Sequence, residues 1–570
     1  MKRTVRFITL ILVLCQLVGC FAACKEQPDE EMAEVAFDLT KDKLSAYTIV
    51  VPSQTSENMN AVAVTLQDMI EKAIGVKPEI KTDIVTDASG ESEHEILIGV
   101  ADRKEAREFH SDVKINDSGY ALVGKKVLIL GHTEECANSS VFQFKMDILD
   151  NAGTLDVLMK AGYNKIVCGT YSYDTLMLNG TDISKYTIVY PERSSNGEDT
   201  VASYLQSWIL SKTGYVVNCK SDSAELAEYE IQIGDTKRIT EDMLSAKNAG
   251  DEYYIGTESK LVWISGKSKI ALHAAYRKLL SMATEEGKTI SLNTGSSESY
   301  VMNALKLSVM SYNVYYDLGE SKRNPSDVIA SVKQRNPDVF GLNEAGKDWI
   351  NKFNSDTQIS AQYACAEGKP ADNAADASYN PIFYKKDKFE LVEVQTKWLS
   401  ATPDKMSKYP DAKHYKIFTY VILKDKVSGT EFMYINVHLD GSNDSSAHAA
   451  LKEVRKKQAD ILKRLVSEYS YLPAILGGDF NEGPTSNVIV GMSNGTRFKY
   501  CMNVAEKKID INSTDVNSSY TAISDGVIFD YLFVTSDCIT VQKYEQWDNK
   551  VNGKYPSDHL PVCAEITIMF

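Results

Sequence analysis

The chain has 570 residues, 43% of them hydrophobic, enough for several buried cores and for about three or four domains. Its formal net charge of −16 argues against a general nucleic-acid-binding surface, which would be basic, although the stretch from residue 305 onward carries only about −3. Ten cysteines, three of them among the first 24 residues and none in a CxxC pair, show no zinc-like spacing, and disulfides are possible outside the cell but not required by a chain of this length.

The first element is a leader. Met1-Lys2-Arg3 is basic, and Phe7 to Val18 is an apolar run too short to span a bilayer but suited to a signal peptide. It ends in "LVGC", Leu17 to Cys20, which resembles a bacterial lipobox. That resemblance implies a signal peptide over 1–20 and a lipidated Cys20 as first residue of the mature protein. Acyl chains would then tether the protein outside the cytoplasmic membrane. Cys24 in "FAAC" fits less well, because Phe21 opens the motif; the plainer alternative is a secretory signal cleaved nearby. Residues 21–44, including "KEQPDEEMAE", are polar and acidic and read as a flexible linker.

A repeat follows. "AYTIVVP" (46–52) recurs as "KYTIVYP" (185–191), "VTLQDMIEKAIGVKPEIK" (64–81) as "SYLQSWILSKTGYVVNCK" (203–220), "EILIG" (95–99) as "EIQIG" (230–234) and "KVLILG" (126–131) as "LVWISG" (261–266). Two small α/β domains are expected, over 45–160 and 185–300, joined by a connector over 161–184. Each is expected to run strand, helix, strand, strand, strand, helix. In the first helix Val64, Leu66, Met69, Ile70 and Ile74 approximate a packed stripe, and Gly75 and Gly214 stand where a helix C-cap belongs. Each repeat resembles the non-catalytic α/β domain that precedes the barrel of hexosaminidase-type glycoside hydrolases. The resemblance implies cell-wall or glycan contact; a spacer holding the C-terminal domain off the membrane is the alternative.

From residue 305 the pattern changes to successive strands: 305–316, 336–345, 380–393, 416–425, 431–440, 472–481, 529–537 and 558–568, with one long amphipathic helix around 447–468. A β-sandwich with helices outside accommodates this. Strand after strand ends in a polar or ionisable residue: Asn313, Glu344, Asn436 and His438, Asp479 and Asn481, Asp530, Asp558 and His559. Carboxylates and amides suit a hard divalent cation, and histidines suit proton transfer and phosphate contact.

"MSYNV", "DVFGLNE", "INVHLD", "GGDFNEGP", "FDYLFV" and "PSDHLPV" occur in that order. Together they resemble the endonuclease/exonuclease/phosphatase superfamily over residues 305–570. "TKWLSATPD" (396–404) further resembles a bacterial subgroup of metal-dependent hydrolases. The resemblance implies a four-layered α/β-sandwich with two packed central β-sheets, and one or two Mg²⁺ or Mn²⁺ ions. It implies a metal side of Glu344, Asp558 and Asn313. Asp479 would position or activate the attacking water, and Asn481, His438 and His559 would face the phosphate, with Asp530 orienting and charging His559. Lys416 and Asn436 are expected to bind substrate. Asn343 stands where many relatives have Gln, Val437 replaces a common Thr, and Lys416 lies where relatives often have Arg, so phosphate recognition there would be looser.

The expected activity is that of an extracytoplasmic, membrane-anchored, metal-dependent phosphoesterase acting on phosphodiesters or phosphomonoesters, nucleic acid among the substrates but without a stable nucleic-acid complex. The basic clusters in "SKYPDAKHYK" (407–416) and "VRKKQADILKR" (454–464) are too local for a duplex groove. The alternatives are a lipid or inositol-phosphate phosphoesterase, or a non-catalytic surface protein that binds glycan.

Overall fold

The computed structural model describes residues 46–53, 57–85, 91–151, 163–239, 252–295, 298–316, 325–442, 444–510 and 528–570. The expected signal peptide, Cys20 and the expected 21–44 linker lie outside them. Among the described residues no helix is long and apolar enough to cross a membrane. The chain divides into two compact units, Met1–Gly169 and Thr170–Phe570.

The first unit is a six-stranded sheet in the order Glu79–Thr82, Thr48–Val51, Glu95–Ile98, Lys126–Leu130, Ser118–Val123, Asn164–Val167. The first four strands run parallel, Ser118–Val123 runs antiparallel to them, and Asn164–Val167 pairs antiparallel with Ser118–Val123. Helices Glu57–Ile74 and Glu134–Asp147 bury Leu66, Ile70, Val141 and Phe144 against Ile49, Ile96 and Ile129. Val64, expected in the packed stripe, is instead exposed, and Val62 and Ala63 take its place. The apolar face is centred one turn earlier than the sequence pattern alone indicates.

The second unit opens with a sheet of the same order: Asn218–Ser221, Tyr186–Tyr190, Tyr229–Ile233, Leu261–Gly266, Glu252–Glu258, Glu298–Val301. Its register matches too. Thr48 sits opposite Glu95 in one sheet and Thr187 opposite Glu230 in the other. Asp83 accepts from the backbone N–H of Ser53 and Asp102, and Asp222 from those of Glu192 and Lys237. Arg103 pairs with Glu95, and Arg238 with Glu230. Each sheet has two more strands than the sequence pattern indicates, Ser118–Val123 and Asn164–Val167 in the first and Glu252–Glu258 and Glu298–Val301 in the second. The expected connector is also structured. Asn164–Val167 completes the first sheet, while Thr175–Leu178 and Thr181–Asp182 join Ala283–Glu286 and Thr289–Leu292 in a small separate sheet. Strands this short carry too little pattern to stand out in the sequence and are held by their neighbours.

The remainder is a sandwich. One sheet runs Tyr363–Ala366, Ile382–Lys385, Val339–Asn343, Ala304–Asn313, Val562–Met569, Ile539–Gln546, Lys507–Ile509. The other runs Phe389–Trp398, Ile417–Asp425, Glu431–His438, Ala474–Asp479, Asp530–Thr535, Phe498–Tyr500. Their inner faces share one core containing Leu307, Val309, Ile435, Leu476, Phe533 and Ile566. Helix Pro325–Arg335 and helix Lys347–Ser355 cover the first sheet through Val328, Val332, Trp349 and Phe353. Helix Lys452–Glu468 and helix Asn487–Ser493 cover the second through Leu462, Leu465 and Ile489. Four layers result, a mixed α/β architecture as expected. The single helix expected around 447–468 is two, Ser445–Ala450 and Lys452–Glu468, parted at Leu451, whose N–H bonds His448 O three residues back.

Register brings the polar strand ends together. Asn313 lies opposite Asn343, His438 opposite Asp479, and Asp479 opposite Asp530. Helix Lys269–Ser281 of the second repeat packs on this sandwich: Tyr276 Oη lies 3.0 Å from Ser470 Oγ, and Arg277 Nη2 donates to Met569 O at 2.7 Å.

Candidate active site

Asn313 is fully buried at the end of its strand, and its Nδ2 donates to Glu344 Oε1 at 3.2 Å and Asp479 Oδ2 at 3.0 Å. One amide thus spans both sheets. Asn343 does the same from below: its Oδ1 accepts from Asp479 N at 3.2 Å, and its Nδ2 donates to Val437 O and Asn436 Oδ1, both at 3.0 Å. The shorter Asn is long enough for this bridge where relatives were expected to use Gln. Ser557 Oγ donates to Asn313 O at 2.7 Å and to Asp558 Oδ1 at 3.2 Å, fixing the last loop against the first strand.

Glu344 and Asn481 both adopt left-handed backbone, at φ 58° and 50°. Non-glycine residues there carry strain that the surroundings must hold, and such positions cluster at working sites. Tyr316 N donates to Glu344 Oε2 at 3.3 Å. Asn481 N donates to Asp479 Oδ1 at 2.8 Å, and its Nδ2 lies 3.0 Å from both His438 Nε2 and Leu439 O. Gly441 makes room for this: a Cβ there would come within 2.6 Å of the Asn481 side chain.

Among the described residues two groups of ligand-type atoms occur, each with its atoms within 4.8 Å of one another: Glu344 with His438 and Asp479, and Asp479 with Asp530 and His559. His559 Nδ1 is 2.6 Å from Asp530 Oδ2, and its Nε2 is 4.0 Å from Asp479. Asp558, expected on the metal side, stands outside both groups, although its charge acts on Glu344 and His559. Asn313, Glu344, His438, Asp479, Asn481, Asp530 and His559 converge, Asp558 and Lys416 act on Glu344 through their charges, and Asn436 is set apart. It is fully buried, its Nδ2 donating to Leu342 O and Pro381 O and its Oδ1 accepting from Asn343. With its amide so engaged it ties the two sheets together and is not placed to contact substrate.

The electrostatics fit a cation. Burial raises the Asp479 carboxyl, and neighbouring Asp530 adds to this, to about 6 against opposing help from His559, Asn481 N and Asn313. Burial likewise raises Glu344, reinforced by Asp558 and Asp479. Carboxylates crowded in low dielectric call for positive charge, and an oxygen-rich set suits Mg²⁺ or Mn²⁺. For His559, burial is outweighed by Asp530, and its imidazole is held well above the ordinary range. His438 is driven the other way, by burial and then by Lys416, His559 and His414. Lys416 is lowered by burial, against the pull of Glu344, Asp440 and Asp479. Sequence reasoning passed over Ser557, although it lies inside "PSDHLPV", and the pair His414–Asp440, although His414 lies inside a basic cluster it singled out.

A family model described as Endonuclease/Exonuclease/phosphatase family matches residues 310–559. Similar solved structures include an endonuclease/exonuclease/phosphatase family protein from Bacteroides thetaiotaomicron, 25% identical, covering 47% of this chain and 99% of that one, with a TM-score of 0.41. A mannosyl-6-phosphatase of B. thetaiotaomicron VPI-5482 is 26% identical over 46% of this chain and 99% of its own, with a TM-score of 0.40. The human Nocturnin catalytic domain is 16% identical over 46% and 97%, with a TM-score of 0.36. Among curated proteins none matches the chain. The matched stretch runs from the strand of Asn313 to His559 itself, and it supports an endonuclease/exonuclease/phosphatase-type α/β sandwich as the C-terminal domain of the chain.

Proposed function

We propose that this protein is an extracytoplasmic, membrane-anchored, metal-dependent phosphoesterase. The observation that carries the reading is the pairing of a carboxylate-rich group, Glu344, His438 and Asp479, with the Asp530–His559 pair through the shared Asp479. Glu344, with Asn313 and the nearby Asp558, would hold a divalent cation, which when bound offsets charge on a phosphoryl oxygen. Asp479 orients water for in-line attack. His559, charged through Asp530, donates to the phosphate where negative charge develops. Asn481 and His438 complete the phosphate face, and Lys416 adds a point charge. Lipidation at Cys20 would set the location. The repeats serve as a spacer or a glycan contact.

The test is turnover by the full-length protein on a panel of phosphomonoesters, phosphodiesters, nucleic acids, inositol phosphates and lipids, with Mg²⁺ or Mn²⁺ and with chelator. Metal-dependent release of phosphate or cleavage is expected. No turnover on any member would favour a non-catalytic binding protein.

A further inference from the structure

His414 is held as His559 is. Its Nδ1 lies 2.8 Å from Oδ1 of Asp440, a carboxylate with no exposed surface. Asp440 also accepts from the backbone N–H of Lys413 at 2.7 Å, His414 at 3.2 Å and Gly441 at 3.1 Å. Four hydrogen bonds on one buried carboxylate fix both the turn and the ring. The His414 side chain is 49% exposed, and its Nε2 has no hydrogen-bond partner among the described residues.

This turn borders the candidate site. Asp440 stands two residues beyond His438, and Gly441 abuts Asn481. Lys416, two residues after His414, feels Glu344 and Asp479, and His438 feels His414. The turn also carries three lysines, Lys408, Lys413 and Lys416, against Asp411 and the buried Asp440. Among the described residues neither Lys408, Lys413 nor Lys416 has a carboxylate within ion-pair distance, although Asp440 acts on Lys416 and Lys413 on Asp444 at longer range. Lys413 Nζ donates to Ser442 Oγ at 2.9 Å, and Lys408 Nζ donates to the carbonyls of Ala412 and Lys413. A cationic rim beside a carboxylate centre attracts anions.

We infer that His414 and Lys413 form a subsite for a second phosphoryl group, carried by the substrate next to the one that is hydrolysed. The inference rests on the phosphoesterase reading and narrows its substrate class to compounds bearing two adjacent phosphoryl groups. The lysine ammonium supplies charge. The oriented imidazole supplies a directional contact to one oxygen.

The test compares binding of methylenediphosphonate and methylphosphonate to the full-length protein by calorimetry, at fixed pH and fixed free Mg²⁺. Neither probe has a hydrolysable bridge, so binding is read apart from turnover. The wild-type protein should prefer the diphosphonate by about 10-fold, equivalent to about 1.4 kcal/mol. His414→Ala and Lys413→Ala should each reduce that ratio several-fold. Lys413 is exposed, so its variant keeps the test open even if His414→Ala folds poorly. A ratio near one in the wild type, or an unchanged ratio in both folded variants, overturns the inference. A wild type that shows the preference yet hydrolyses no phosphoester would sink the proposed function and leave the subsite standing.

Discussion

Asp530 Oδ2 lies 2.6 Å from His559 Nδ1, and the far nitrogen of the same ring lies 4.0 Å from Asp479. A buried carboxylate thus fixes the ring's orientation and favours its charged form, with the free N–H turned toward the residue proposed to steer water. Asp530→Asn keeps the shape and removes the charge. We expect turnover to fall by about 100-fold, and His559→Ala by about as much, the scale for one preorganised catalytic group. Circular dichroism establishes that the variants are folded, and initial rates on the best panel substrate check the prediction. Parent rates in both folded variants would remove His559 from the mechanism.

Glu344 should behave differently. Its carboxylate is tied to Asn313 and Tyr316 N, close to His438 and Asp479. Glu344→Ala should lower metal affinity, so the metal concentration for half-maximal rate rises by about 10-fold or more and excess Mg²⁺ or Mn²⁺ restores part of the activity. His559→Ala should not respond to extra metal. Titrating activity against each ion in both variants makes the comparison, and equal rescue of the two would count against the assigned roles.

These residues were legible in the sequence because each closes or opens a strand, and strand register aligns them: His438 faces Asp479 and Asp479 faces Asp530. What the sequence could not display is where an amide's hydrogen bonds go. Asn436 and Asn481 look equally suited to substrate, yet the amide of Asn436 is engaged by Leu342, Pro381 and Asn343 inside the sandwich. His414 and Asp440 stand 26 positions apart and meet only through the pairing of neighbouring strands. In the repeats the aligned strands were readable by similarity. The strands at Ser118–Val123 and Asn164–Val167 were not, since their pairing, and not their periodicity, defines them.

Gly441 supplies a steric test of Asn481. A Cβ at this position would stand 2.6 Å from Asn481 Cγ and 2.7 Å from its Nδ2. Gly441→Ala should displace the amide from His438 and lower turnover by about 10-fold or more, since small misplacements at a reacting centre are costly. Metal affinity should be unchanged, because Glu344 is not in the displaced contact. A Gly441→Ala protein with parent kinetics would show that Asn481 does not need this position.

The anchor proposed at Cys20 is tested by fractionation. Cys20→Ser should move the protein from the membrane pellet to the soluble extracytoplasmic fraction, because acyl chains would supply the affinity. Cys24→Ser should leave it on the membrane. Retention of the Cys20→Ser protein in the pellet would refute lipidation at this site.

His273 should make stability pH-dependent. It lies on the second repeat's helix Lys269–Ser281 with 1% of its surface exposed, and neither ring nitrogen has a hydrogen-bond partner among the described residues. Its Nδ1 is 3.5 Å from Asp537 Oδ2, and Asp537 is already paired with Arg497 at 2.8 Å. Burial lowers the imidazole to about 3; Asp537 opposes this, while Arg277, Arg497 and Lys269 reinforce it. The ring is therefore neutral in the folded protein at pH 7. An unfolded chain protonates the same ring near pH 6.5. Between pH 6.5 and about 3 the unfolded state holds a proton that the native state refuses, so stability is full above pH 6.5 and falls as the pH drops. The slope from this residue is about 1.4 kcal/mol per pH unit. Urea unfolding at pH 7.5, 6.5, 5.5 and 4.5 should show the wild type losing stability faster than His273→Leu by about that amount per unit below pH 6.5. Above pH 6.5 the two curves should run parallel. Parallel curves throughout would mean that His273 takes up its proton in the folded protein, and that the repeat does not seal it against the sandwich.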